Sequence, residues 1–285
     1  MEIRRPATAA EDWMDEQFRA AGNVRIGVGY ITWSMALNPK LLDQALARKP
    51  AVFVLSFGDE RPFAEQIKRA GVKLICQVQD LDGAKRARDA GAEIIATQGT
   101  EAGGHGKTSR SLMGLVPAVA DAVSPIPVVA AGGIGDGRGL AAALMLGASG
   151  IMVGTRFWAT PEALGHENAK QRLTAAGGDD TLRTRIFDQV RDLDWPQEYS
   201  GRAIANEFTR RWHGNEEALE FEMPTERAKF WTAAMAGDVS TAVVFAGEGL
   251  DLINDVKPAG DIVAAIAFEA EHLLRNHPGV ELVAN

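Results

Sequence analysis

The chain has 285 residues, 46% hydrophobic and 24% charged, with a formal net charge of −8. That length suffices for one large domain or a domain with an appendage, and the acidic balance, with no basic stripe or interleaved aromatic platform, argues against nucleic acid as a partner. A lone cysteine, Cys76, excludes an internal disulfide; the first residues lack the apolar core of a signal peptide, and the longest apolar run, around Ile262 to Phe268, is too short for a membrane span. The sequence therefore predicts a soluble, cytoplasmic protein.

Residues 11 to 21 place Trp13, Met14, Gln17 and Phe18 near one face and stop at Gly22-Asn23, which predicts a short amphipathic helix. Residues 24 to 33 read as a strand, 39 to 48 as a helix and 51 to 57 as a second strand. A helix opened by Pro62 and closed by Gly71, a strand at 72 to 78, a helix at 82 to 90 and a strand ending at Gln98 continue the alternation. Residues 111 to 122 and 139 to 146 read as helices, each ahead of a strand, at 128 to 131 and 150 to 154. Gly71, Gly91 and Gly147 mark helix exits, where a left-handed backbone is needed.

Strands that are apolar throughout are buried on both faces, and their alternation with helices predicts parallel pairing through helical crossovers. The fold class is thus α/β, with about six strands before residue 160; a complete eight-stranded (β/α) barrel needs two more and takes about 250 residues. After Thr160 tryptophan, charge and asparagine increase, and helical stretches dominate, at 203 to 212, 225 to 235 and 262 to 275. This reading divides the chain into a partial barrel, residues 1–159, and a helical cap over its mouth, residues 160–285.

Three strand ends carry the candidate chemistry. Gly99-Thr100-Glu101-Ala102-Gly103-Gly104-His105 follows the strand that ends at Gln98, so glycine backbone can approach a flat ligand beside a titratable imidazole. Histidine is the side chain whose ordinary titration lies near working pH, so His105 suits general-base work, and the Gln98 amide suits the edge of a heterocycle. Gly132-Gly133 and Gly154-Thr155 end the last two strands of the alternating region, where a barrel keeps its phosphate site. Asp136 or Gly137 opens the next helix, whose N-terminus favours an anion, and a phosphate monoester is expected there. The run from Gly133 to Gly139 lacks the spacing of a dinucleotide fingerprint.

Other residues leave alternatives open. Glu101 is either a second base or a cap for local N–H groups. Lys107 and Arg110 either draw in an anionic substrate or are simply solvated. Trp33, Trp158 and Trp195 are ordinary packing, or, for Trp33 and Trp158, pocket walls. Cys76 reads as an inert buried thiol. His166, His213, His272 and His277 read as surface or cap residues, and no pair has metal-ligand spacing.

Taken together, Gln98 to His105, Ala130-Ala131-Gly132-Gly133-Ile134-Gly135-Asp136-Gly137-Arg138 and Gly154-Thr155-Arg156-Phe157 resemble, in order and spacing, the nitronate monooxygenases, formerly called 2-nitropropane dioxygenases. Gly201-Arg202-Ala203-Ile204-Ala205-Asn206-Glu207-Phe208 and Ala236-Gly237-Asp238 extend the likeness, which runs from about residue 24 onward. The resemblance implies a TIM barrel holding FMN and the oxidation of alkyl nitronates or nitroalkanes by O2. By motif position it implies that Gln98, Gly103 and Gly104 contact the flavin, Gly132 and Gly133 its phosphate region, and Met152, Val153, Gly154 and Thr155 the phosphate-side loop. It also implies that His105 takes the α-proton of a neutral nitroalkane.

The family's first two strands have no counterpart here, so the barrel is expected to be incomplete at its N-terminal side, to bind FMN weakly and to associate, with a homodimer as one such form. Gly27-Val28-Gly29-Tyr30 stands where the family often has a flavin-contacting asparagine. The Glu-Ala-Gly-Gly-His block is also similar to flavin-type enoyl-acyl carrier protein reductases, which keeps that activity as an alternative, beside an inactive remnant.

Overall fold

A computed structural model describes residues 7–108 and 110–276; His277 lies outside them. The chain divides into two compact units, one formed by residues through Ala96 with Val119–Val128, the other by Thr97–Ala118 with Val129 onward.

The first unit holds α1 (Ala7–Ala21), β1 (Val28–Ile31), α2 (Thr32–Ala36), α3 (Lys40–Ala47), β2 (Val52–Ser56), α4 (Arg61–Arg69), β3 (Lys73–Val78) and α5 (Leu81–Ala90). Its strands form where β-branched and aromatic residues cluster, and Phe53, Leu55, Leu74 and Cys76 are buried. On α4, Phe63, Ala64 and Ile67 face inward at helical spacing. Asp80 accepts the Gly83 N–H at 2.7 Å to start α5, and Gly91, at φ 93°, ends it as predicted. β1 pairs with β2, and β2 with β3, in parallel.

β4 (Ile94–Gln98) is followed by β5 (Gly104–Gly106), α6 (Leu112–Val123), β6 (Val128–Ala131), α7 (Gly137–Met145), β7 (Gly150–Met152), α8 (Thr155–Trp158) and α9 (Glu167–Ala175). Six strands make a parallel sheet in the order β1-β2-β3-β4-β6-β7, in agreement with the α/β expectation.

The stretch after residue 160 differs from its helical reading. β8 (Thr181–Thr184), α10 (Ile186–Arg191), β9 (Ser200–Ile204), α11 (Glu207–Trp212), α12 (Glu216–Ala236) and α13 (Ala259–Arg275) follow in order. β8 and β9 join β5 in a three-stranded antiparallel sheet ordered β5-β9-β8. Residues 203 and 204 are therefore strand, and the helix begins only after Asn206 caps it by accepting the Thr209 N–H at 3.0 Å. Ile186, Phe187, Val190, Phe208, Trp212, Leu219 and Phe230 form one buried cluster in this unit. Burial of each large side chain among them contributes about 2 kcal/mol. Among the described residues no helix is long and apolar enough to cross a membrane.

Candidate functional site

The turn between β4 and β5 is held by its own backbone and by two arginines. Gln98 Nε2 donates to the His105 carbonyl at 3.0 Å, which fastens the strand end to the residue that the turn delivers. Arg183, from β8, donates to the carbonyls of Thr100, Ala102, Gly106 and Ser200 at 2.8–3.3 Å. Arg202, from β9, donates to Thr100 as well and pairs with Glu248 at 2.7 Å. Burial, with Arg202 beside it, pulls the Arg183 guanidinium down to about 10. Carbonyl dipoles are thus the main partners of a cation that water solvates poorly.

His105 sits in the middle of β5, opposite Gly201 of β9. Its Nε2 lies 2.9 and 3.0 Å from the two carboxylate oxygens of Asp188 on α10, and the two side chains are only 9% and 3% exposed. The imidazole stacks on Trp195 at 3.6 Å between centroids and 4° between planes, with Phe245 tilted at 5.5 Å. Arg185 fixes the stacking segment by donating to the carbonyls of Trp195, Pro196 and Tyr199 at 2.8–2.9 Å.

Neither Asp188 nor Trp195 was singled out by sequence reasoning as part of the site. One signal was available: Asp188 is a lone carboxylate inside the apolar run Ile186-Phe187-Asp188-Gln189-Val190, and a buried carboxylate needs a partner.

The glycines divide into two kinds. A side chain at Gly103 would meet the backbone of Ala246 and Gly247 at 2.6 Å, so this glycine makes room for protein. Gly104 is left-handed, at φ 72°, and a side chain there would meet nothing within 4 Å. Gly132 and Gly133 also take positive φ, 125° and 65°, and carry the β6 exit against Glu101 and Ala102. Thr155 Oγ1 accepts the Gly247 N–H at 3.0 Å, and the Glu101 carbonyl accepts the Glu248 N–H at 2.9 Å, so residues 247–248 tie the turns after β4 and β7 together. At the end of β7 Met152 is 36% exposed, and in the loop after it Val153 is half-buried and Gly154 exposed, with open space where a Gly154 side chain would project.

The expectation that the α7 N-terminus takes a phosphate is corrected. Asp136 accepts from the N–H groups of Arg138 and Gly139, and Glu269 of α13 accepts from that of Gly137 at 2.7 Å. The protein's own carboxylates already satisfy these donors. A cleft of ≈ 180 Å³ beside this helix end is lined by Asp136, Asp255, Asp261 and Glu269 against Arg156 and Lys257, a poor setting for an anion.

The open alternatives also resolve. Glu101 accepts the Leu112 N–H at 2.7 Å ahead of α6, the capping reading. Lys107 lies 3.6 Å from Glu198 and 5.8 Å over the Tyr199 ring, and half-buried Arg110 donates to the Gly114 carbonyl. Arg156 turns to Asp255, and Trp158 packs against the cluster around Leu173 and Ile204. His166 caps α9, and His213 lies 3.2 Å from Thr184. Burial pushes the Cys76 thiol up to about 12, as an inert thiol requires.

A family model described as nitronate monooxygenase matches residues 2–269. A nitronate monooxygenase of Neurospora crassa is 35% identical over 228 residues, covering 76% of this chain and 59% of the relative's own length. A nitronate monooxygenase of Metarhizium robertsii is 34% identical over 270 residues, 87% of this chain and 74% of the relative. Among solved structures, FabK from Thermotoga maritima matches with a TM-score of 0.81 at 28% identity, covering 97% of this chain and 85% of that one. The nitroalkane oxidase from Streptomyces ansochromogenes matches with a TM-score of 0.72 at 26% identity, covering 94% and 86%.

Proposed function

We infer the function from one premise: the chain belongs to the nitronate monooxygenase family, whose members depend on flavin. We propose that it oxidises alkyl nitronates, and nitroalkanes after deprotonation, with bound FMN and O2, giving carbonyl compounds and nitrite. The observation that carries this reading is the His105 imidazole, presented by the Gly-Gly-His turn at the end of β4 and braced by a carboxylate and an aromatic ring.

The residues present fit FMN. Thr97, buried at the end of β4 beside Gln98, has an Oγ1 with no hydrogen-bond partner among the described residues, a polar atom that an apolar core would not keep. The segment from Met152 to Thr155, in which Met152 and Gly154 are exposed, offers with the Gly132-Gly133 turn backbone N–H groups suited to a phosphate. In this reading those residues hold the phosphate end, and Gln98, Gly103 and Gly104 hold the ring end. Bound FMN supplies the two-electron redox chemistry, and the protein supplies orientation and the base.

His105 accepts the α-proton of a neutral nitroalkane; the C–H electron pair remains on the substrate and delocalises into the nitro group. A nitronate arrives without that proton and needs no base. His105→Ala should therefore abolish oxidation of a neutral nitroalkane and spare that of its preformed nitronate. Equal loss on both substrates would remove His105 from proton abstraction. The enoyl-acyl carrier protein reductase alternative rests on the shared Glu-Ala-Gly-Gly-His block. Rapid anaerobic reduction of the flavin by NADH, with none by a nitronate, would favour it and reject the reading proposed here.

A further inference from the structure

We propose that Asp188 is the positioning residue that makes Nδ1 the basic atom of His105. The inference rests on the function proposed above and goes beyond it by naming the reacting nitrogen and the group that selects it.

A neutral imidazole carries its proton on one nitrogen and a lone pair on the other, and the partner of the first decides which is which. Both Asp188 oxygens lie within 3.0 Å of Nε2, and an ionised carboxylate only accepts, so the proton sits on Nε2. The lone pair is then on Nδ1, which has no hydrogen-bond partner among the described residues.

Two constraints keep the ring in that setting. Stacking on Trp195 at 3.6 Å and 4° leaves no room for the plane to tilt, and the His105 carbonyl is pinned by Gln98. The Trp195 segment is in turn fixed by Arg185, and a half-turn of the imidazole about the Cβ–Cγ bond would exchange Nε2 for Cε1 and so face the carboxylate with a carbon. That arrangement would leave a buried carboxylate without its N–H donor in a nearly dry site, which is strongly unfavourable. When a nitroalkane reacts, its α C–H bond breaks, the electron pair delocalises into the nitro group, and the proton passes to Nδ1. The imidazolium so formed lies against the Asp188 carboxylate, which stabilises it.

The test combines kinetics with a spectrum. Asp188→Asn removes the charge and lets the amide donate to Nε2, which moves the ring proton to Nδ1. Oxidation of a neutral nitroalkane should fall on the order of 10- to 100-fold, while oxidation of the preformed nitronate stays within about twofold. Nitrogen NMR of wild-type protein labelled at its five histidines, with His105 assigned by its loss in His105→Ala, should show a protonated Nε2 and a bare Nδ1 at alkaline pH. A protonated Nδ1 in that spectrum would overturn the proposal even if Asp188→Asn does not fold. Parallel loss on both substrates, or no loss on either, would also overturn it. Absence of nitronate turnover in the wild type would instead reject the proposed reaction, and the spectrum would still decide the tautomer.

Discussion

The turn from β4 into β5 and the turn from β7 into α8 both follow an apolar strand of the six-stranded sheet, yet their surroundings differ. Around the first, Arg183, Arg202 and Gln98 engage backbone carbonyls, Asp188 and Trp195 brace the His105 ring, and the space of a Gly103 side chain is taken by the chain at 246–247. Around the second, Gly154 is exposed and faces open space. Under the proposed function the difference is physical: a base must be held at fixed geometry before its substrate arrives, and a loop that meets a phosphate needs donors that are accessible to it.

The sharpest way to break this contrast is to add one methyl group to each turn. Gly103→Ala drives a Cβ into backbone at 2.6 Å, where no side chain can yield, and should cost about 3 kcal/mol of stability, read from the midpoint of urea unfolding. Gly154→Ala meets nothing within 4 Å, so its stability should stay within about 0.5 kcal/mol of wild type. Under the proposed function it should still weaken FMN about tenfold, equivalent to about 1.4 kcal/mol, in a flavin fluorescence titration. Equal destabilisation by the two substitutions would show that the turns are built alike.

Arg183→Met asks whether the carbonyl clamp holds the first turn. It leaves the Ala102, Gly106 and Ser200 carbonyls without that donor, while Thr100 keeps Arg202. The expected loss is about 2 kcal/mol, less than a full count of severed bonds would give, because the substitution also relieves a buried cation and its repulsion from Arg202. Thermal unfolding with and without FMN would measure it. A stability unchanged from wild type would mean that the turn keeps its shape through Gln98 and the backbone alone.

Much of the fold was legible because its determinants are local. Apolar runs, Asp80 and Gly91 place β3, α5 and β4 through contacts only a few residues long. β8 and β9 were missed for a physical reason: each is short and carries an arginine, Arg183 and Arg202, which face each other in register. Charge in those segments resembles a solvated helix surface until the carbonyls that receive it are known. In the site, His105 and its glycines were visible as a motif, but Asp188 is 83 residues away. Nothing in local spacing links the two. The α7 N-terminus failed similarly, since its Gly-rich start was read correctly as a helix opening while the carboxylate that fills it lies 132 residues on.

That same helix end supplies the smallest test. Glu269 accepts the Gly137 N–H at 2.7 Å, adding a negative charge where the α7 dipole is positive, and Asp136 takes the next two donors. Glu269→Gln keeps an acceptor oxygen and removes only the charge, so stability should fall by about 0.5 kcal/mol at low salt. Raising the ionic strength to about 1 M, where the Debye length is about 3 Å, should shrink that difference. The variant should also bind FMN as the wild type does, since the phosphate is assigned to the loop at Gly154. A loss of FMN affinity in Glu269→Gln as large as in Gly154→Ala would return the phosphate to the start of α7 and undo the distinction between a filled and an open helix end.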